Sequence, residues 1–157
     1  MLQHSSPRYA AAPGALPDPD RQAEFYADVP LKRFVAWLID AVAILVLTVL
    51  VLPFTAFLGL FFFPLLWLAV GIGYRMAFLA RSSATPGMWL LSIELRDRCG
   101  RRLDPGTALA HTLLYTVFLA TMVVQAISVA LMLSTPRRQG LHDIVLGTAM
   151  INRPARP

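Results

Sequence analysis

Asp40 is the only charged side chain in the 41 residues from Phe34 to Tyr74. A carboxylate isolated in so apolar a run has two chemical uses. It can alternate between a proton and a cation, or it can anchor hydrogen bonds and an ion pair that orient one helix against its neighbours. Arg33 precedes it by seven residues, two helical turns, so both side chains leave one face of a helix. Asp40 then lies about 10 Å deeper along the axis, while the Arg33 guanidinium can snorkel toward headgroups. Near the other end of the chain, "STPRRQGLHDIVLGTAMI" holds Arg137 and Arg138, suited to phosphate headgroups, His142, which titrates near neutral pH, and a second carboxylate, Asp143. Gly140 and Gly147 bracket a short element there. His111 and Tyr115 share a helical face at a spacing of four, but an isolated histidine in a span is more often a hydrogen-bonded packing residue. Two aspartates also raise the chemistry of an intramembrane aspartyl protease, which needs both carboxylates together and sharing a proton. Asp143 lies ten residues beyond the last apolar run and near two arginines, so no enzyme is expected. No metal-ligand cluster or cofactor motif stands out, and none is expected.

The elements that carry these residues are set by composition. The 157 residues are 57% hydrophobic and 15% charged, with a mean hydropathy of +0.60, against about 25% charged for an average soluble chain. Apolar residues are clustered in long runs rather than spread at core spacing. Since about 20 apolar residues span a bilayer, the expected architecture is an all-α integral membrane protein. Its three hydrophobic segments fall at about 31–54, 60–80 and 107–133. Pro53 ends the first span, and "PFTAFLGLFFFP" makes a tight, uncharged turn. In the second, Ala69 and Gly73 form a small-xxx-small face suited to close helix packing. Between spans two and three, at about 88–103, Leu91, Ile93 and Leu95 alternate with Ser92, Glu94 and Arg96. That is strand spacing, with an interfacial amphipathic helix as the competing reading. "LGTAMIN" is a candidate partner strand. Residues 1–29 carry four of the five prolines found up to Pro30, several alanines and no signal-peptide core, so a disordered tail is expected. Residues 30–152 form the transmembrane domain and 153–157 a short tail.

Charge sets the topology. Four Lys/Arg precede span one, none lie between spans one and two, five fall in 81–106 and four follow residue 133. Positively charged loops remain on the cytoplasmic side, which puts the N-terminus and the 81–106 loop inside a multi-pass cell (inner) membrane protein. The third run breaks the parity. Crossing once, it would place Arg137, Arg138, Arg153 and Arg156 outside; entering and returning, it would not. A single tilted crossing is the favoured reading, because no proline or glycine inside the run supplies a turn. Lone Cys99 in a basic loop suits a reducing compartment. The net charge of +5 is accounted for by flanks facing anionic lipid, and no nucleic-acid partner is expected.

Arg33 at the start of span one, Asp40 within it and Asp143 in "RRQGLHDIVLGT" together resemble the RDD family of membrane proteins, named for one arginine and two aspartates so placed. "ATPGMWLLSIEL" is similar to that family's central segment, matching at Thr85, Pro86 and Gly87, while Met88 stands where lysine is frequent and Ser92 where glycine is frequent. The resemblance covers about Pro30 to Asn152. It implies that Arg33, Asp40 and Asp143 are signature residues, with Thr85, Pro86, Gly87, Arg137, Arg138, His142, Gly147 and Thr148 as accessory positions. It further implies either a structural or adaptor component of a membrane complex, as a homo-oligomer or with a membrane-protein partner, or a small oligomeric cation/proton exchanger using Asp40.

Overall fold

The structure, a computed structural model, describes residues 15–153. The expected tail up to residue 14, and the residues beyond Arg153, lie outside the described residues. Helix α1 (Val29–Val51) starts at Pro30 in its first turn, where a missing N–H costs nothing. Its 23 residues give about 35 Å, enough to cross a bilayer core. A 3₁₀ turn at Leu52–Thr55 holds Pro53, and Ala56 and Phe57 then adopt φ of 50° and 61°, reversing the chain toward a second 3₁₀ turn at Leu58–Leu60. Helix α2 (Phe63–Ser82) returns antiparallel and packs on α1, with Gly71 against Ile44. Gly73 has nothing within 4 Å of where a Cβ would stand, and Ala69 beside it is exposed, so the small-residue face is not used within the chain.

The connection after α2 is more structured than a strand alone. Helix α3 (Pro86–Leu90) comes first, then strand β1 (Ile93–Arg96). The strand spacing is thereby realised at 93–96, with Ile93 and Leu95 in the core. β1 pairs antiparallel with β2 (Ala149–Asn152), in the register Ile93↔Asn152 to Arg96↔Ala149. Ser92 enters β1 at φ 54°, the left-handed region where glycine is least strained.

The third apolar run is not one straight crossing. Helix α4 (Pro105–Ala120) and helix α5 (Met122–Ser134) meet at an angle of 116°. Asp104 caps α4 by accepting from the Gly106 and Thr107 amides, ahead of Pro105. The break sits at Thr121, whose extended φ/ψ of −110°/100° ends one helix while its carbonyl accepts from Gln125 N to begin the next. Both arms lead to the same ribbon: β1 precedes α4, and α5 is followed by α6 (Leu141–Leu146) and β2. Helix α6 packs against both α4 and α5, wedged into the bend.

Residues 15–28 are also ordered by packing, against the expectation of a disordered tail. Leu16, Phe25 and Tyr26 are buried against Ala149 and Ile151 of β2, and Asn152 donates to the Glu24 and Ala27 carbonyls. The core proper joins Val29 and Ala36 of α1, Leu79 of α2, Ile93, Leu95, Leu103, Ala108 and Met150. It lies at the ribbon end of the molecule. The flanks of α1, α2 and α5 instead leave large apolar side chains exposed, among them Val42, Leu50, Leu65 and Val123. Such a surface is compatible with lipid as its solvent.

Candidate functional site: two buried carboxylates

Asp40 is 1% exposed, yet no cation pairs with it among the described residues. Its three partners are neutral donors. Tyr74 Oη of α2 donates to Oδ1 at 2.8 Å, Gly87 N of α3 donates to Oδ1 at 2.9 Å, and Thr85 Oγ1 donates to Oδ2 at 2.5 Å. The local sequence explains the last two. Thr85 is the N-cap of α3 with Pro86 following, so its hydroxyl accepts from Met88 N while giving its own proton to Asp40. Gly87 permits the approach: a Cβ there would stand 2.4 Å from the Ala36 carbonyl oxygen and 2.9 Å from Asp40 Oδ1. Asp40 thus fastens α1 to α2 and α3 at one point.

Asp143 is wholly buried and holds the opposite set of elements. Arg33 Nη1 donates to Oδ2 at 2.6 Å, and Gly140 N to the same oxygen at 3.0 Å. His111 Nε2 lies 3.1 Å from Oδ1, and Thr148 Oγ1 donates to Oδ1 at 3.2 Å. Arg33 also reaches His142 Nε2 with Nη2 at 3.1 Å. A guanidinium can only donate, so that nitrogen accepts and the His142 proton sits on Nδ1. Nδ1 is buried with no hydrogen-bond partner. Burial opposes the charge on Asp143, but the Arg33 guanidinium and the hydrogen bond from His111 outweigh it and hold the carboxyl well below its usual range. Burial pushes His142 down to about 3 despite the neighbouring Asp143 carboxylate, with Arg33 and His111 reinforcing the fall.

His111, His142 and Asp143 offer ligand atoms within 4.8 Å of one another, a spacing that could hold a transition metal. The position is already served by a cation. Arg33 contacts both Asp143 and His142, and a second positive charge there would have to displace it. The residues therefore do not fit a resident metal.

The signature residues are brought together only in part. Arg33 pairs with Asp143 across 110 positions, whereas Asp40 shares no hydrogen-bond partner with Asp143. Of the accessory positions, Thr85, Gly87, His142 and Thr148 contact a signature residue directly. Pro86 starts α3 and Gly147, at φ 66°, ends α6. Arg137 and Arg138 do not join the centre: Arg137 lies beside Tyr26 and Asp18, and Arg138 donates to the Leu133 carbonyl. Two residues here, Tyr74 and Arg75, have no role assigned from the sequence, and His111 reads there only as a packing residue. Arg75 lies over the Tyr115 ring, 4.5 Å from its centroid.

The RDD family model matches residues 28–147, and the chain belongs to that family. No curated protein and no solved structure matches it.

Proposed function

From that membership, we propose that the chain is a non-catalytic structural module of the cell inner membrane, N-terminus cytoplasmic, that assembles with a second membrane protein or a second copy of itself. One observation carries this reading: on both signature carboxylates most or all of the roughly four acceptor sites are taken by the protein's own donors. Asp40 accepts three hydrogen bonds and Asp143 four, which leaves little for a transported cation to coordinate. Each carboxylate ties together elements distant in sequence, which is the work of a lock. The exposed Ala69 and Gly73 on α2 offer the close-packing face that a partner helix would use. The cytoplasmic placing of the N-terminus rests on the basic flanks.

Exchange of a cation for a proton is the second reading, favoured by Asp40 lining a cavity that opens beside it. Reconstituted vesicles separate the two. The structural reading expects no Na⁺- or K⁺-driven proton movement from folded wild type, together with loss of crosslinking between helices when Gly73 is replaced by isoleucine. A pH gradient that either ion dissipates with intact Asp40, but not in Asp40→Asn, would make the protein an exchanger.

A further inference from the structure

A cavity of about 580 Å³ lies beside the polar centre, and neither carboxylate lock needs it. That volume falls within the roughly 300–1,000 Å³ of pockets that enclose a small organic ligand. Two of its walls are apolar and open to the outside. Phe34 on α1 is 58% exposed and Leu133 on α5 is 60% exposed, and both line it. The opening therefore lies beside the start of α1 and the end of α5, on a flank whose exposed apolar side chains suit lipid.

The inner wall is polar and incompletely satisfied. Arg75 stands seven residues inside the Ser82 end of α2, about 10 Å along the axis. Among the described residues it pairs with no carboxylate and lies over the face of Tyr115. His142 is 1% exposed, lines the same cavity, and carries on Nδ1 a proton that no acceptor receives. Gln125 Oε1 is a buried acceptor without a donor. Arg33 also lines the wall but is committed to Asp143 and His142. Asp40 lines it too, with both oxygens occupied by Tyr74, Thr85 and Gly87. Arg33 is neutralised by Asp143, so among the described residues Arg75 is the guanidinium of this wall that no carboxylate binds. A guanidinium without a carboxylate in an apolar span is unfavourable, so an anion reaching it would be held strongly.

We propose that this cavity is a lateral binding site for one membrane glycerophospholipid, with its phosphodiester on Arg75 and the His142 Nδ1–H, and one acyl chain laid between Phe34 and Leu133. A head carrying a hydroxyl, such as phosphatidylglycerol, would also donate to Gln125 Oε1. The lipid enters from the leaflet that contains the Arg33 end of α1. The site rests on the structural reading, because a cation exchanged at Asp40 would need the same cavity.

Native mass spectrometry of the purified full chain in detergent tests it, with phosphatidylglycerol, diacylglycerol and inorganic phosphate as separate probes. Wild type should retain a single phosphatidylglycerol. Arg75→Gln should weaken that binding by about tenfold or more, as expected for loss of a charge-assisted contact. Leu133→Trp, which fills the cavity and leaves the guanidinium in place, should also remove the lipid; it serves if Arg75→Gln does not elute as a folded species. Diacylglycerol binding as tightly, indifferent to Arg75, would show an apolar groove and overturn the proposal. Inorganic phosphate competing at equal concentration would show a free-anion site and overturn it too. So would wild type that retains no phospholipid.

Discussion

Replacing Asp40 separates the bonds it makes from the charge it carries. Truncation in Asp40→Ala strands the Tyr74 hydroxyl, the Thr85 hydroxyl and the Gly87 amide. Each unsatisfied buried donor costs about 1–3 kcal/mol. The two hydroxyls can rotate in search of other acceptors, the amide cannot, and removing a buried charge returns part of its desolvation. The net expectation is a loss of roughly 3–5 kcal/mol, the lower part of the range for three stranded donors once these offsets are taken. Asp40→Asn behaves differently. Its carbonyl can take the Oδ1 position and keep both Tyr74 and Gly87, while its NH₂ faces Thr85 Oγ1, which must turn from donor to acceptor. What is lost is charge assistance, about 1 kcal/mol per bond, partly offset because no charge is buried, so roughly 1–2 kcal/mol in all.

At roughly 2–4 °C per kcal/mol for a chain of this size, Asp40→Asn should lower the melting temperature in detergent by a few degrees and Asp40→Ala by about 10 °C or more. Thermal unfolding followed by size-exclusion fluorescence reads both, and membrane abundance should follow the same order. Should Asp40→Asn fall as far as Asp40→Ala, the charge and not the bond count would be holding the helices, and the lock as described would be wrong. If neither variant moved, Asp40 would have no structural role, and its burial would need a functional explanation.

Three further outcomes follow from the same geometry. Gly87→Ala should destabilise by about 1–3 kcal/mol, because its Cβ would stand 2.4 Å from the Ala36 carbonyl and force α3 off α1; the control Gly73→Ala, with open space, should leave the melting temperature unchanged. Arg33→Met and Asp143→Asn should each cost several kcal/mol, with the first near 3–5 kcal/mol because it leaves a buried carboxylate without its cation. The double variant should be no worse than the weaker single, and strict additivity in a double-mutant cycle would deny the pairing. Acid should unfold the protein early. His142 takes its proton near 6.5 in the unfolded chain but only at about 3 when folded, so between those values the unfolded state binds more protons and stability falls as pH drops. At about 1.36 kcal/mol per pH unit this amounts to an upper bound of roughly 5 kcal/mol. Asp143, held below 3.8, adds a loss in the same direction at lower pH. Melting temperatures measured from pH 7 to 4 should decline in wild type and decline less in His142→Gln.

Asp40 was legible as a lone charge in an apolar run, whereas Arg33 and Asp143 joined it as signature residues through the resemblance to the RDD family. Their partners were not. Arg33 and Asp40 share a helical face at a spacing of seven, and spacing alone suggests that they work together. In three dimensions each turns to a different neighbour, Arg33 to α6 and Asp40 to α2 and α3, and only packing decides that. Tyr74 carries no such signal in the sequence, because a single hydroxyl within an apolar helix names no partner. His111 was read as a hydrogen-bonded packing residue, which is correct in kind, but sequence cannot name Asp143 as the acceptor. Ser92 was visible as a departure from glycine, and its φ of 54° gives the reason that position favours glycine.

The third apolar run shows most plainly where local signals end. A turn was discounted there because helices are usually broken by proline or glycine, and Thr107 to Leu133 has neither. The bend at Thr121 comes from tertiary contacts instead. Helix α6 is seated between α4 and α5: His111 of α4 reaches Asp143, and Ser128 Oγ of α5 accepts from Leu141 N. Gly140 lies so close to α5 that a Cβ would meet Met132 at 2.4 Å. A run too short for two full spans can still fold back when a third element fills the angle. That also removes the charge conflict. With α5 returning to the ribbon, Arg153 reaches Glu94 of β1 and Lys32 reaches Asn152 of β2, so the basic residues before α1, after α2 and after α5 gather at one end of the molecule. Charge counting treats those 27 uncharged residues as one straight crossing, whereas the run is bent by 116° and the Arg33–Asp143 pair joins the first helix to the element beyond the bend.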